Sequence, residues 1–352
     1  MRTPPAITLR VMKSRTRFID IAKQAGVGIA TVDRVLNERG GVSERTTKIV
    51  LDAARELQIN RLLPQSNRRR LYIEAIFCRN QSTHYTRLND ALKTVSEIVD
   101  FPISVYRTHF DVSESDKLIE HIDSTCEARD GFILFAYNTP YLTQNLRRLA
   151  KKTTIVTIST DIPESQRHCY VGIDNQGAGL AAAKISAAIC RKGGKVLVLE
   201  PSEEAEAQSS RFLAFTQHFK AQGQSANLVF FRDTDHKQGP LEAFLATLRA
   251  HRDIRVLYGP FNNDFVEQII KLGKTEAAIG DVAKIVHDLS VDSTQNLKDG
   301  LIDIVVDSNP AQEAFQATIF IAREHGFETT FTQRPVNFQL YTSENLPIDD
   351  FV

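Results

Sequence analysis

Residues 18–60 read FIDIAKQAGVGIATVDRVLNERGGVSERTTKIVLDAARELQIN. Residues 18–25 have helical spacing, with Ile21, Ala22 and Ala25 on one face, and Gly26-Val27 then supplies a tight turn. In residues 29–37 the apolar stripe is Val32, Val35 and Leu36, so Ile29, Ala30, Thr31, Asp33 and Arg34 are left on the outer side or at the leading end. These are the residues that a groove could meet. After Gly40-Gly41, Ser43 is a good N-cap for a third helix whose Ile49, Val50, Ala53, Ala54 and Leu57 close a small core. The pattern predicts an all-α helix-turn-helix head.

Charge agrees with that division. The formal net charge is zero, but residues 1–70 hold 15 Lys+Arg against 6 Asp+Glu, while residues 71–352 hold 28 against 37. A basic head condenses on phosphate by releasing counterions, and an acidic remainder stays off the duplex. At 352 residues the chain suits a small head and a body of about 280 residues, itself two lobes.

The quoted stretch resembles the head of the LacI/GalR family of bacterial repressors, whose pattern runs D-V-A-x-x-A-G-V-S-x-x-T-V-S-R-V-L-N and then V-S-x-x-T-R. Asp20, Ala22, Ala25, Gly26, Val27, Thr31, Val32, Arg34, Val35, Leu36, Asn37, Val42, Ser43 and Thr46 match it. The resemblance implies DNA-binding roles: Ile29, Ala30 and Arg34 against base edges with Thr31 beside them, and Asn37, Ser43 and Thr46 on phosphates. There are departures. Gly28 replaces the Ser that caps the recognition helix, Asp33 replaces a second Ser facing the backbone, and Arg17 stands where a capping Thr is usual, leaving Thr16 as the nearest substitute. An acid at position 33 repels phosphate unless Arg34 or Arg39 neutralises it.

Residues 61–70, RLLPQSNRRR, form a junction where relatives carry a hinge helix with a Leu that wedges into the minor groove. Pro64 disfavours a continuous helix here and A-R-S-L is absent. Leu62 or Leu63 as a wedge, and a basic linker with Arg68, Arg69 and Arg70 near phosphates, both remain open. The expected boundaries are a frayed tail at 1–16, the head at 17–60, the hinge or linker at 61–70 and the body at 71–345.

From residue 71 short β-rich runs alternate with helical ones, the signature of parallel βαβ units. Strands are predicted at 71–78, 102–109, 131–136 and 154–159, with crossover helices at 85–99, 115–126 and 140–150. A second series follows at 195–200, 227–231, 255–259, 284–288 and 303–307. Two series of similar size predict a two-lobed, doubly wound α/β body with a cleft between lobes. VGIDNQGAGLAAA (171–183) and the P-F-N-N-D stretch after RVLYG are similar to the periplasmic-binding-protein fold, especially its ribose-binding branch. The two resemblances cover residues 17 to about 340.

Ligands in such sheets lie beyond the carboxyl ends of the strands. The effector-binding candidates are His84 and Tyr85, where sugar-binding relatives carry stacking aromatics, together with Asp161, Arg211, Asn263 and Asp288. Asp161 could accept two hydrogen bonds from adjacent hydroxyls or simply cap its turn. Arg211, in an R-x-x-G-F pattern with Ala214 for Gly, could clamp the ligand or be a solvated charge. Asn263 and Asp264 could contact ligand or cap the following helix. Ser308 sits where relatives often have Gln, and Asp174 reads as structural, at a crossing between lobes.

No Walker A, G-x-S-x-G or H-E-x-x-H motif occurs, and GIDNQGAG is not a dinucleotide fingerprint. No catalytic residue, metal site or cofactor is expected. Cys78, Cys126, Cys169 and Cys190 are spaced for neither zinc nor redox chemistry, as expected of buried thiols in a reducing cytosol. Without a membrane span or signal-type h-region, a cytoplasmic protein is expected. The resemblance implies a homodimeric repressor reading double-stranded operator DNA under control of a sugar-like effector. Two alternatives come from other classes: a sugar-modifying α/β enzyme with a basic extension, and a sugar-binding receptor whose head is vestigial.

Overall fold

The computed structural model describes residues 18–37, 39–57, 69–78, 83–201, 206–232 and 239–347. Thr16, Arg17, Leu62, Leu63, Pro64 and Arg68, on which the cap and hinge expectations fall, lie outside them. The chain divides into two compact units, Met1–Arg69 and Arg70–Val352.

The first unit is three helices, α1 (Phe18–Ala25), α2 (Ile29–Leu36) and α3 (Glu44–Glu56). Gly26, at φ +65°, makes the turn between α1 and α2, a conformation that an L side chain rarely adopts. Ile21, Ala22, Val32, Val35, Leu36, Val50, Leu51, Ala53 and Ala54 form the core. Ile49, expected there, is 42 % exposed, and Leu51 is fully buried instead. At 100° per residue the stripe centres between Val50 and Ala54, so Ile49 lies roughly 120° away and Leu51 roughly 80°. Ser43 caps α3 as expected, its Oγ accepting from the Thr46 amide at 3.2 Å.

The second unit begins β1 (Leu71–Phe77), α4 (Thr83–Thr94), β2 (Ile103–His109), α5 (Ser115–Thr125), β3 (Gly131–Phe135), α6 (Pro140–Leu149), β4 (Thr154–Ile158) and β5 (Cys169–Val171). It continues α7 (Asn175–Ile189), β6 (Lys195–Leu199), α8 (Glu206–Ala221), β7 (Leu228–Phe231), α9 (Pro240–Ala250), β8 (Ile254–Gly259), α10 (Asp264–Leu272) and α11 (Ala277–Gly280). The last elements are β9 (Ala283–His287), α12 (Val291–Lys298), β10 (Ile304–Asp307), α13 (Pro310–Glu324) and β11 (Gln339–Tyr341).

Among the described residues two sheets result, ordered β2-β1-β3-β4-β5 and β11-β10-β9-β8-β6-β7, and only β11 of their strands runs antiparallel. The nine predicted strands fall within a residue of their places. Strand β6 shows why they were readable: Val196 and Val198 pack on one face with α7 and α8, while Leu197 and Leu199 pack on the other with α9 and α10. A strand covered on both faces is apolar throughout. The first sheet is likewise covered by α4 and α13 on one face and by α5 and α6 on the other.

The chain passes between lobes after β5, again when α13 packs against α4 and β4 of the first lobe, and a third time when β11 joins the second sheet. Asp174 stands at the first crossing and caps α7 through the Gly177 amide, at 2.9 Å, in the structural role expected of it. Where α7 crosses α8, a Cβ on Gly179 would lie 2.2 Å from the Arg211 carbonyl oxygen. The glycine lets the two backbones touch, and that contact sets the height of Arg211. Among the described residues no helix is long and apolar enough to cross a membrane.

Candidate functional site

On the head, α2 leaves Ile29, Ala30 and Arg34 exposed, with Thr31 and Asn37 half-buried. Asp33 is held by two neighbours: Asn37 Nδ2 donates to Oδ1 at 2.6 Å, and Arg39 Nη1 lies 2.8 Å from Oδ2. The acid expected to repel phosphate is thus neutralised by Arg39, not Arg34. The Ser43 and Thr46 hydroxyls lie 2.8 Å apart at the start of α3. The helix α2 has no side-chain cap, because Gly28 occupies that place in an extended conformation that a serine could adopt.

In the body, the carboxyl ends of the strands converge on a buried polar cluster. Its centre is Arg211, from α8, which is only 4 % exposed. It donates to Asn175 Oδ1 (2.8 Å), Asp288 Oδ2 (3.2 Å), Ser308 Oγ (3.0 Å) and the Pro260 carbonyl (3.3 Å). The alternative of a solvated surface charge is set aside by that burial. Asp288 follows β9 and also accepts from Ser308 at 2.5 Å. Burial pushes its carboxyl up, but Arg211, then His84 and His287, outweigh burial and hold it below the ordinary carboxylate range.

His84 comes from the first turn of α4 in the other lobe. Its Nε2 is 2.9 Å from Ser159 Oγ and 3.6 Å from Glu313 Oε2, and its Nδ1 is 3.7 Å from Asp288 Oδ1. Ser159 donates to Glu313 Oε2 in a short hydrogen bond. Burial lowers the affinity of His84 for a proton, and burial raises Glu313 well above the usual carboxylate range. Ser159, Asp288 and Asn309 hold φ of +62°, +65° and +55° at the ends of β4, β9 and β10. Left-handed backbone at non-glycine residues costs of order 1 kcal/mol each and gathers at functional sites.

The remaining candidates have other partners. The Asp161 carboxylate lies in an ion pair with Arg167 (2.5 Å) and caps its own turn through the Ile162 amide (2.7 Å), partners that are not members of the cluster. Asn263 caps α10 through the Val266 amide at 3.0 Å. Tyr85 lies edge-on to Phe77, and its hydroxyl is 3.0 Å from His109 Nδ1, on the side of α4 facing β2.

Sequence reasoning did not single out Ser159, Asn175 or Glu313. Glu313 left a signal, as an acid on the apolar face of PAQEAFQATIFIARE, one turn from Ala317. Arg87 and Asp307 were missed as well. Two of the four cysteines, Cys78 and Cys190, are buried and the other two half-buried; all four are free.

The body matches the periplasmic binding protein domain family over residues 82–324, more than half of the chain. The head matches the bacterial regulatory proteins of the lacI family over residues 18–59. A ribose operon repressor of Halalkalibacterium halodurans is 29 % identical over 132 residues, 36 % of this chain and 38 % of that protein. The transcriptional regulator RegA of Clostridium saccharobutylicum is 33 % identical over 109 residues, 30 % and 32 % of the two chains. The chain thus spans about a third of the length of these curated relatives. A glucose-galactose binding protein from Geobacillus stearothermophilus superposes with a TM-score of 0.64 at 17 % identity, over 80 % of this chain and all of that one. A structure described as a LacI transcriptional regulator from Bacteroides fragilis does so with 0.63 at 19 %, over 79 % and 98 %. At such identities the likeness shows the fold, two α/β lobes of periplasmic-binding-protein type. These likenesses point to a regulator rather than an enzyme. Through its body the chain belongs to the periplasmic binding protein domain family, and it carries a lacI-family helix-turn-helix domain as its head.

Proposed function

We propose that the protein is a homodimeric, cytoplasmic transcriptional repressor. Its heads read the two halves of a pseudo-palindromic operator, and a sugar or sugar-like effector bound between the lobes changes the spacing of the heads. The observation that carries this reading is the Arg211–Asp288–Ser308 cluster facing His84 across the lobe interface, on a chain whose head exposes Ile29, Ala30 and Arg34. A cationic donor beside a carboxylate and a hydroxyl suits adjacent hydroxyls, which both donate and accept.

Sugars recur in the names of similar proteins: ribose for an operon repressor, glucose and galactose for one solute-binding protein, and D-arabinose for another. The Asp33–Arg39 pair weighs against a vestigial head, since it removes the repulsion that the acid alone would bring. Selection of duplexes from a random pool by the full-length protein tests the reading. An enriched palindromic sequence, released or bound more tightly on adding an aldose, is expected; failure to enrich any duplex sinks it.

A further inference from the structure

Two polar atoms in the interlobe cluster stand out by lacking a hydrogen bond, although His84 Nδ1 lies at ion-pair distance, 3.7 Å, from Asp288 Oδ1. Glu313 Oε1 and His84 Nδ1 are buried, and neither has a hydrogen-bond partner among the described residues. Glu313 itself is 0 % exposed and His84 8 %. Buried polar groups in folded proteins are overwhelmingly paired, so two orphans in one cluster call for an explanation.

We propose that Glu313 of α13, with His84, reads hydroxyls of the effector, so that the binding site extends from the strand-end loops onto the helix that crosses between lobes. The inference rests on the reading of this cluster as an effector site. The donor pattern is self-consistent. Ser159 Oγ donates its one proton to Glu313 Oε2, so His84 Nε2–H donates to Ser159 and Nδ1 is left as an acceptor. Glu313, which burial keeps protonated beyond the usual carboxylate range, has Oε1 left as the place for that proton. One orphan therefore donates and the other accepts, the two roles that a hydroxyl complements and a hydrocarbon does not.

Geometry gives the pair a further role. Glu313 sits on α13, which packs against α4 and β4, whereas Asp288 and Ser308, on the far side of His84, belong to strand ends of the other lobe. A ligand held by Glu313, His84 and Asp288 together is held by both lobes. Ser159 keeps its left-handed backbone at the end of β4, presenting its hydroxyl to Glu313.

The test uses full-length protein, a panel of D-ribose, D-arabinose, D-glucose, D-galactose and D-tagatose, and the variants Glu313→Met and Glu313→Gln. For the sugar that raises the wild-type Tm, Glu313→Met is expected to weaken binding by at least about tenfold, with Glu313→Gln recovering part of the loss through its amide donor. In the absence of sugar, Glu313→Met should lower Tm by no more than about 5 °C, because relief of the orphaned Oε1 offsets the acceptor that Ser159 loses. A Glu313→Met protein that binds that sugar as wild type does, or whose sugar-free Tm falls by more than about 5 °C, overturns the assignment. If no sugar of the panel shifts the wild-type Tm, the sugar reading of the site fails instead, and the sugar-free Tm of Glu313→Met still decides whether Glu313 is a structural group.

Discussion

Arg87 of α4 and Asp307 at the end of β10 meet across the lobe interface as a bidentate pair, with Nη1 2.6 Å from Oδ1 and Nη2 3.2 Å from Oδ2. Asp307 is 1 % exposed and also accepts from the Leu289 and Asn309 amides. Arg87→Ala leaves that carboxylate without its cation, which for a buried pair costs about 3 kcal/mol. Urea denaturation should show the loss, and effector affinity should fall with it because the lobes are no longer tied. A variant with unchanged midpoint and unchanged affinity would mean that the pair contributes nothing to closure.

On the head, Arg34→Ala is expected to weaken binding to a selected operator by about 1–3 kcal/mol and to relax one base position. Footprinting at several salt concentrations checks this. The wild-type affinity should also drop steeply as salt rises, since phosphate contacts release counterions.

Gly28→Ser should do the opposite. The residue's backbone is extended, and the nearest atom to an added Cβ is Thr31 Oγ1 at 4.0 Å, so a serine fits and caps α2. A gain of a few tenths of a kcal/mol in head stability is expected from the cap. Tighter operator binding should accompany it, and a lower head Tm would show that position 28 needs its glycine.

Gly179→Ala links fold to site. The added Cβ would press on the Arg211 carbonyl, and forcing α7 and α8 apart costs about 1–3 kcal/mol. Because Arg211 rides on α8, calorimetry should show a loss of effector affinity larger than the change in stability alone implies.

A pH dependence follows from His287, which is fully buried with Nε2 3.1 Å from the Tyr258 hydroxyl. Burial, and then Arg211, hold its imidazole well below the ordinary range, so the unfolded chain takes up a proton that the folded chain refuses. Stability is therefore full above about pH 6.5 and declines below it, by up to about 1.4 kcal/mol per unit. Glu313 works in the opposite sense, because its raised carboxyl favours the folded state at low pH and loses that advantage as pH rises. Comparing wild type with His287→Gln in thermal melts from pH 7.5 to 5 isolates the histidine; equal slopes would refute its part.

Much of this architecture was legible in the residues. The head declared itself through three apolar stripes and Gly26, and the body through strands buried on both faces. The strands β5 and β11 were not, because three residues carry no periodicity and their pairing depends on distant chain. Arg211, His84 and Asp288, chosen for their places near strand ends, do come together in one cluster. Asp161 and Asn263 have the same chemistry, but Arg167 six residues on and the Val266 amide three residues on satisfy them locally. Glu313 escaped notice for the converse reason: its partners Ser159 and His84 lie more than 150 residues upstream and meet it only once α13 has crossed back.

That return of α13 makes the lobes inseparable as genetic pieces. A truncation series from the C-terminus would strip a wall from the first lobe while most of the second was still encoded, and a cut after β5 would free a first lobe with one face of its sheet covered by α4 alone. The first lobe needs chain that is encoded beyond nearly all of the second. Fragments exchanged between relatives should therefore fold only when the segment up to β5 and the segment containing α13 travel together.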